Sequence, residues 1–170
     1  MKVRAIARSA LATAVVAAAA AFLATRIDKR PGADSTPVAR PIRVLPPDTV
    51  IDGPVEVEHR VGEWLLRIVI DTGEYDDRVA EVFHLGRRAW AVRGANIRFD
   101  PVGRDITGDR TPDVVVHVFS GGMHCCTQAT VLGLADTLQI FGTINGAHGD
   151  VELVDVDGDG VFEIRVGDWR

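Results

Sequence analysis

The chain has 170 residues, 46% of them apolar and 25% charged, with 17 glycines and 8 prolines, which suits one domain with its own core and excludes global disorder. Its net charge of −5 is uneven: residues 1–30 carry Lys2, Arg4, Arg8, Arg26, Lys29 and Arg30 against Asp28, a net of +5, so the remainder carries −10. A body that acidic repels phosphate backbones, which excludes nucleic-acid binding, whereas clustered carboxylates attract divalent cations.

Lys2, Arg4 and Arg8 precede the apolar run Ala10–Ala24, the charged start and short apolar core of a secretory signal, with Ala19-Ala20-Ala21 as a cleavage site. Residues 1–25 therefore read as a signal peptide or, if uncleaved, as a membrane anchor. Ser9–Thr25 is at the short limit for a span, about 17 residues, and Arg26, Lys29 and Arg30 follow it. Both readings export the body to the periplasm or beyond, with membrane contact only through this segment. An alanine run without a polar stripe offers no amphipathic face to a cytosolic core. Residues 26–52, with Pro31, Pro37, Pro41, Pro46 and Pro47, read as an extended linker, which places the folded domain at residues 53–170.

Within that domain, alternating or β-branched runs predict strands at Val55–His59, Trp64–Asp71, Ala80–Leu85, Ala89–Val92, Asp113–Phe119, Thr127–Leu132, Thr137–Ile140, Val151–Leu153 and Val161–Val166. The breaks hold Gly73, Gly86, Gly94, Gly121-Gly122 and Gly146. A short helix around Asp76–Val82 is the one helical alternative. The expected class is all-β.

Two segments align. Asp105-Ile-Thr-Gly-Asp-Arg-Thr-Pro-Asp113 leads into Val114-Val-Val, and Asp155-Val-Asp-Gly-Asp-Gly-Val-Phe-Glu163 leads into Ile164-Arg-Val, fifty residues on. Calcium takes six to eight oxygens at roughly 2.3–2.6 Å, and side chains at loop positions one, three and five, a carbonyl at seven and a further carboxylate can wrap one ion. The second segment has Asp155, Asp157 and Asp159 at the odd places, the Val161 carbonyl, Glu163 to close the shell, and Gly158 and Gly160 for the turn. The first keeps Asp105, Asp109, Thr111 and Asp113 but has Thr107 in place of a carboxylate and Arg110 in place of glycine, so its ion site is the poorer one. Arg110 must adopt whatever conformation Gly160 adopts, and a positive φ costs a non-glycine residue of order 1 kcal/mol. An EF-hand is the obvious rival, but its twelfth position, a glutamate, falls here on Val166 or Val116. Acidic turns held by side-chain hydrogen bonds alone are the bland alternative.

The pattern Asp-x-Asp-Gly-Asp-Gly-x-x-Glu followed by an apolar strand resembles the FG-GAP or VCBS-type repeat, the calcium-loop unit of integrin α-subunit propellers and many exported bacterial proteins. The resemblance covers roughly Asp105–Arg170. It implies two propeller-blade-like antiparallel repeat units, Ca2+ as the cofactor, and Asp155, Asp157, Asp159, Val161 and Glu163 as ligands, with Asp105, Thr107, Asp109, Thr111 and Asp113 in the matching places. The function so implied is that of an exported structural or interaction module and not an enzyme.

Cys125 and Cys126 are the only cysteines, so the one intramolecular disulfide open to an exported chain is a vicinal one. Buried or unoxidised thiols are the second option. A third is redox or soft-metal handling by His124-Cys125-Cys126, with His117 or His148 as a further ligand. Trp64, Trp90 and Phe83 read as core, and Ser120 before Gly121-Gly122 lacks a nucleophile-elbow pattern. The last strand, Val161–Val166, lies close to Arg170. Its edge is therefore expected to recruit an N-terminal strand such as Val55–His59, or to pair with another chain.

Overall fold

The computed structural model describes residues 42–73, 77–122, 126–147 and 149–167; the run Ala10–Ala24 and the signal or anchor assigned to it lie outside them. Among the described residues there is no helix. The strands are β1 (Arg43–Val44), β2 (Val55–Val61), β3 (Trp64–Asp71), β4 (Asp77–His84), β5 (Arg87–Gly94), β6 (Asn96–Arg104), β7 (Asp113–Phe119), β8 (Thr127–Leu134), β9 (Leu138–Ala147), β10 (Val151–Val154) and β11 (Glu163–Val166). All pair antiparallel, in three sheets of order β1-β5-β4-β3-β2, β6-β7-β8-β9 and β10-β11.

Local chemistry sets the hairpins. Leu85 and Gly86 both take positive φ, 50° and 77°, the pair of left-handed residues that a two-residue turn needs to match the strand twist, and His84 accordingly pairs with Arg87. The segment Asp76–Val82, where a short helix was the alternative, is strand from Asp77 onward. Val79, Ala80 and Val82 are fully buried there, and β4 pairs with β3 on one side and β5 on the other, so sheet burial overrides any local helical tendency. Strand β6 has no counterpart in the sequence expectation.

The sheets stack as layers. Trp64, Leu66 and Ile68 of β3 and Val82 of β4 meet Val114, Val116 and Val118 of β7 and Leu132 of β8 in a first core. On the far face of β7, Val115 joins Ala129, Val131, Ile106 and Val151 in a second core, against which Phe162 and Ile164 pack. The central sheet is thus buried on both faces, which explains the unbroken Val114-Val-Val run. Each fully buried Val or Leu contributes roughly 1.5–3 kcal/mol. The Trp64 indole N–H donates to the Ala135 carbonyl at 3.0 Å, fastening the first sheet to the turn between β8 and β9.

Two four-stranded meanders and one hairpin therefore stand where two repeat units were expected. The acidic loops lie inside the β6–β7 and β10–β11 hairpins, and the first meander, β2–β5, has only Gly62-Glu63 at the corresponding turn. The fold also takes in residues expected in the linker. Strand β1 pairs with β5, the Leu45 amide donates to the Ala91 carbonyl at 2.9 Å, and Arg88 donates to the carbonyls of Pro46, Pro47 and Thr49. Nor does Val55–His59 cover the last strand: β2 pairs with β3, because Val57 packs on the first core, and among the described residues β11 pairs only with β10.

Candidate metal centre

Both acidic loops are built by one set of hydrogen bonds. In the second loop Asp155 accepts from the amides of Gly158 at 2.7 Å and Gly160 at 3.0 Å, and Asp159 accepts from that of Val161 at 2.8 Å. In the first, Asp105 accepts from Gly108 at 2.7 Å and Arg110 at 2.8 Å, and Asp109 from Thr111 at 2.8 Å. The ninth-position carboxylates match as well: Glu163 accepts from Val156 at 2.9 Å, and Asp113 from Ile106 at 2.9 Å. Left-handed residues fall at the same places, Gly108 and Arg110 with φ 78° and 71°, Gly158 and Gly160 with φ 77° and 85°. Side-chain acceptors thus close each turn on itself.

The loops then diverge. Ligand oxygens of Asp155, Asp157 and Asp159 all lie within 4.8 Å of one another, close enough for one cation to touch all three. Asp157 and Asp159 each spend one oxygen on a loop amide, which leaves the other for an ion. In Coulomb terms each close pair costs about 1 kcal/mol even at the dielectric of water, a cost that a bound cation removes. Glu163, expected to close the shell, clasps the start of the loop through Val156. Among the described residues no other trio of His, Cys, Asp or Glu side chains comes so close.

The first loop turns its two threonine hydroxyls on its own carboxylates. Thr107, in the place of Asp157, donates through its hydroxyl to Asp113 at 3.0 Å, and its amide donates to the same oxygen at 3.0 Å. The Thr111 hydroxyl donates to Asp109 at 2.5 Å; this bond, followed by that from the Thr111 amide, holds the Asp109 carboxyl below its ordinary range. Asp113 is 0% exposed, its second oxygen has no partner, and burial pushes its carboxyl up despite the donors on the first. That carboxyl is enclosed by the fold, whereas Asp157 and Asp159 are exposed and Asp155 half-buried.

At the other end of the central sheet, the Cys126 amide donates to the Ser120 hydroxyl oxygen at 2.8 Å, so that hydroxyl is engaged in closing the turn after β7. His124, Cys125 and His148 lie outside the described residues. His117 is 6% exposed and its Nε2 lies 3.0 Å from the Asp100 carbonyl, which can only accept, so Nε2 carries the proton and Nδ1 is left buried without a partner. Its ring lines a shallow cleft with Arg98, Thr127 and Asp150.

What sequence reasoning missed is the contact that joins the loops: the Arg104 guanidinium carbon lies 4.6 Å from the centre of the Phe162 ring. The charge on Arg104, just before the first acidic loop, and the aromatic at Phe162, inside the second, were the only available signal. Comparison with protein-family models, curated proteins and solved structures gave no match.

Proposed function

We propose that this protein is an exported calcium-binding β-layer module, structural or interactive in role, in which the Asp155–Glu163 loop holds a Ca2+ ion that braces the turn of the last hairpin. The observation that carries the reading is the convergence of Asp155, Asp157 and Asp159 within 4.8 Å on a loop whose backbone is already turned. All-oxygen donors on an exposed, irregular loop suit calcium better than magnesium, which demands near-ideal octahedral geometry, or zinc, which prefers nitrogen and sulfur. The shared hydrogen-bond frame of the two loops supports the FG-GAP or VCBS-type assignment, and the charged start before Ala10–Ala24 supports export. The first loop, with Thr107 for Asp157, is the weaker ion site.

Because calcium binds the folded loop and not the unfolded chain, it stabilises by mass action, about 2.7 kcal/mol at 100 times Kd. That corresponds to a rise in Tm on the order of 10 °C for a domain of this size. Thermal melts with calcium and with chelator test it, and Asp157→Ala removes most of the difference. Equal melting under the two conditions refutes the reading.

A further inference from the structure

We propose that Arg104 and Phe162 join the two acidic loops into one ion-responsive unit, so that a cation held by the second loop also tightens the first. The inference rests on the calcium reading of the second loop.

Arg104 immediately precedes Asp105, and its guanidinium stacks on the ring of Phe162, which immediately precedes Glu163. Ile106, on the other side of Asp105, is 6% exposed and packs in the second core, where Phe162, Leu153 and Ile164 lie. The first residue of loop one is therefore flanked by two side chains tied to the β10–β11 hairpin. The amide of Ile106 also donates to Asp113, so its position bears on the bond that joins the two ends of the first loop. The relation is one-sided. Val156, which matches Ile106 in the second loop, is 67% exposed; no layer beyond holds it among the described residues.

Without an ion, the repulsion among Asp155, Asp157 and Asp159 works against the hydrogen bonds that close the loop. With one, that repulsion is removed, the loop is held more firmly, and Phe162, which follows Val161, is held with it against Arg104. Coupling then takes the form of one loop's rigidity passed to the other through this contact. By reciprocity, weakening the Arg104–Phe162 contact must lower calcium affinity by the same factor by which it uncouples loop one. Arg104 is thus a positioning residue for an ion it does not touch.

The test uses the full chain, with calcium alone as the probe. Heat of binding is measured by calorimetry. Hydrogen exchange is followed at the Gly158 and Gly160 amides of loop two and at the Gly108 and Arg110 amides of loop one, which donate to Asp155 and Asp105 respectively. Saturating calcium is expected to slow the loop-one amides at least about 5-fold, the lower end of typical coupling. Arg104→Gln, a surface change that leaves the core intact, reduces that factor and the calcium affinity by about 2- to 5-fold, as expected for a cation–π contact. Phe162→Leu, which keeps the apolar packing, does the same. Slowing confined to Gly158 and Gly160, or equal slowing in wild type and Arg104→Gln, overturns the coupling while the calcium reading stands. Persistence of the loop-one effect in Asp157→Ala overturns it too, since loop one then binds its own ion. Absence of both heat and slowing at Gly158 and Gly160 overturns the calcium reading and the coupling together.

Discussion

Arg110 and Gly160 hold the same left-handed backbone conformation, φ 71° and 85°, at equivalent places in two loops fifty residues apart. In both, the amide of that residue donates to the first aspartate of the loop, so the geometry is dictated by the turn and not by the residue that occupies it. A Cβ in this region costs of order 1 kcal/mol, which Gly160 avoids and Arg110 bears.

Arg110→Gly is therefore expected to be neutral or stabilising by up to about 1 kcal/mol, the strain relieved being partly offset by the greater freedom of glycine in the unfolded chain. Urea denaturation at constant m-value measures it. A loss of more than about 1 kcal/mol would mean that the Arg110 side chain, and not its backbone, holds the loop.

The acidic loops were legible because their hydrogen bonds are local: aspartates at positions one and five and a carboxylate at nine specify the turn whatever lies beyond it. Strand β7 was legible to the residue, since Val114–Val116 is a continuous β-branched run that Val118 and Phe119 extend past His117, bounded by Pro112 and Ser120. Strand β6 was not. Its alternation runs only from Asn96 to Asp100 and is lost at Pro101-Val102-Gly103, where the pairing with β7 shifts register on both sides of Val102; an edge place in the sheet tolerates that irregularity, and Ile97 is buried there. The Arg104–Phe162 contact was beyond reach for another reason: it joins different hairpins, and no local pattern encodes how one layer sits on the next.

The pairing of Glu81 with Arg88 and Arg67 gives a second prediction. Glu81 is 1% exposed, with Arg67 Nε at 2.7 Å from one oxygen and the Arg88 guanidinium at 2.9 Å from the other. Arg88 in turn donates to the carbonyls of Pro46, Pro47 and Thr49. Glu81→Ala leaves a buried guanidinium uncompensated and is expected to cost about 3–5 kcal/mol. The same change should loosen the 46–49 turn, so limited proteolysis ought to open the chain there first. Unchanged stability and an intact turn would contradict the assignment of Arg88 as the clamp.

A pH dependence follows from His117. Burial, then the positive charge of Arg98, pushes its imidazole below its ordinary value, against the Asp100 carbonyl and the charges of Asp100 and Asp150 that favour protonation. The unfolded chain therefore takes up the proton first. Stability from this group is complete above the unfolded value, about 6.5, and is lost as pH falls from there toward the folded value. The denaturation midpoint should drop between pH 7.5 and 5.5, roughly, and His117→Gln, whose amide can still donate to Asp100, should flatten that drop. Identical slopes in the two proteins would assign the effect elsewhere.

The last hairpin makes the prediction about partners. Among the described residues β11 pairs with β10 alone, which leaves the outer backbone groups of Glu163–Val166 as a template for another strand. Val161 and Val166 on the same stretch are 50% and 44% exposed, apolar surface that a partner strand would cover. Layer-on-layer stacking is the less favoured route: where β7 presents Val115 to the next sheet, β11 has Arg165, exposed and ion-paired with Glu152, and a polar outer face is how stacked repeats stop. The edge is short and carries Glu163 and Arg165, so association should be weak and concentration-dependent. In an antiparallel self-pairing those two charges can also face each other, which favours a second copy of the same edge over an unrelated strand. Sedimentation equilibrium over a wide concentration range should then show a monomer–dimer equilibrium that Val166→Lys shifts toward monomer. A strictly monomeric protein at millimolar concentration, or a dimer indifferent to Val166→Lys, would rule out the edge as the contact.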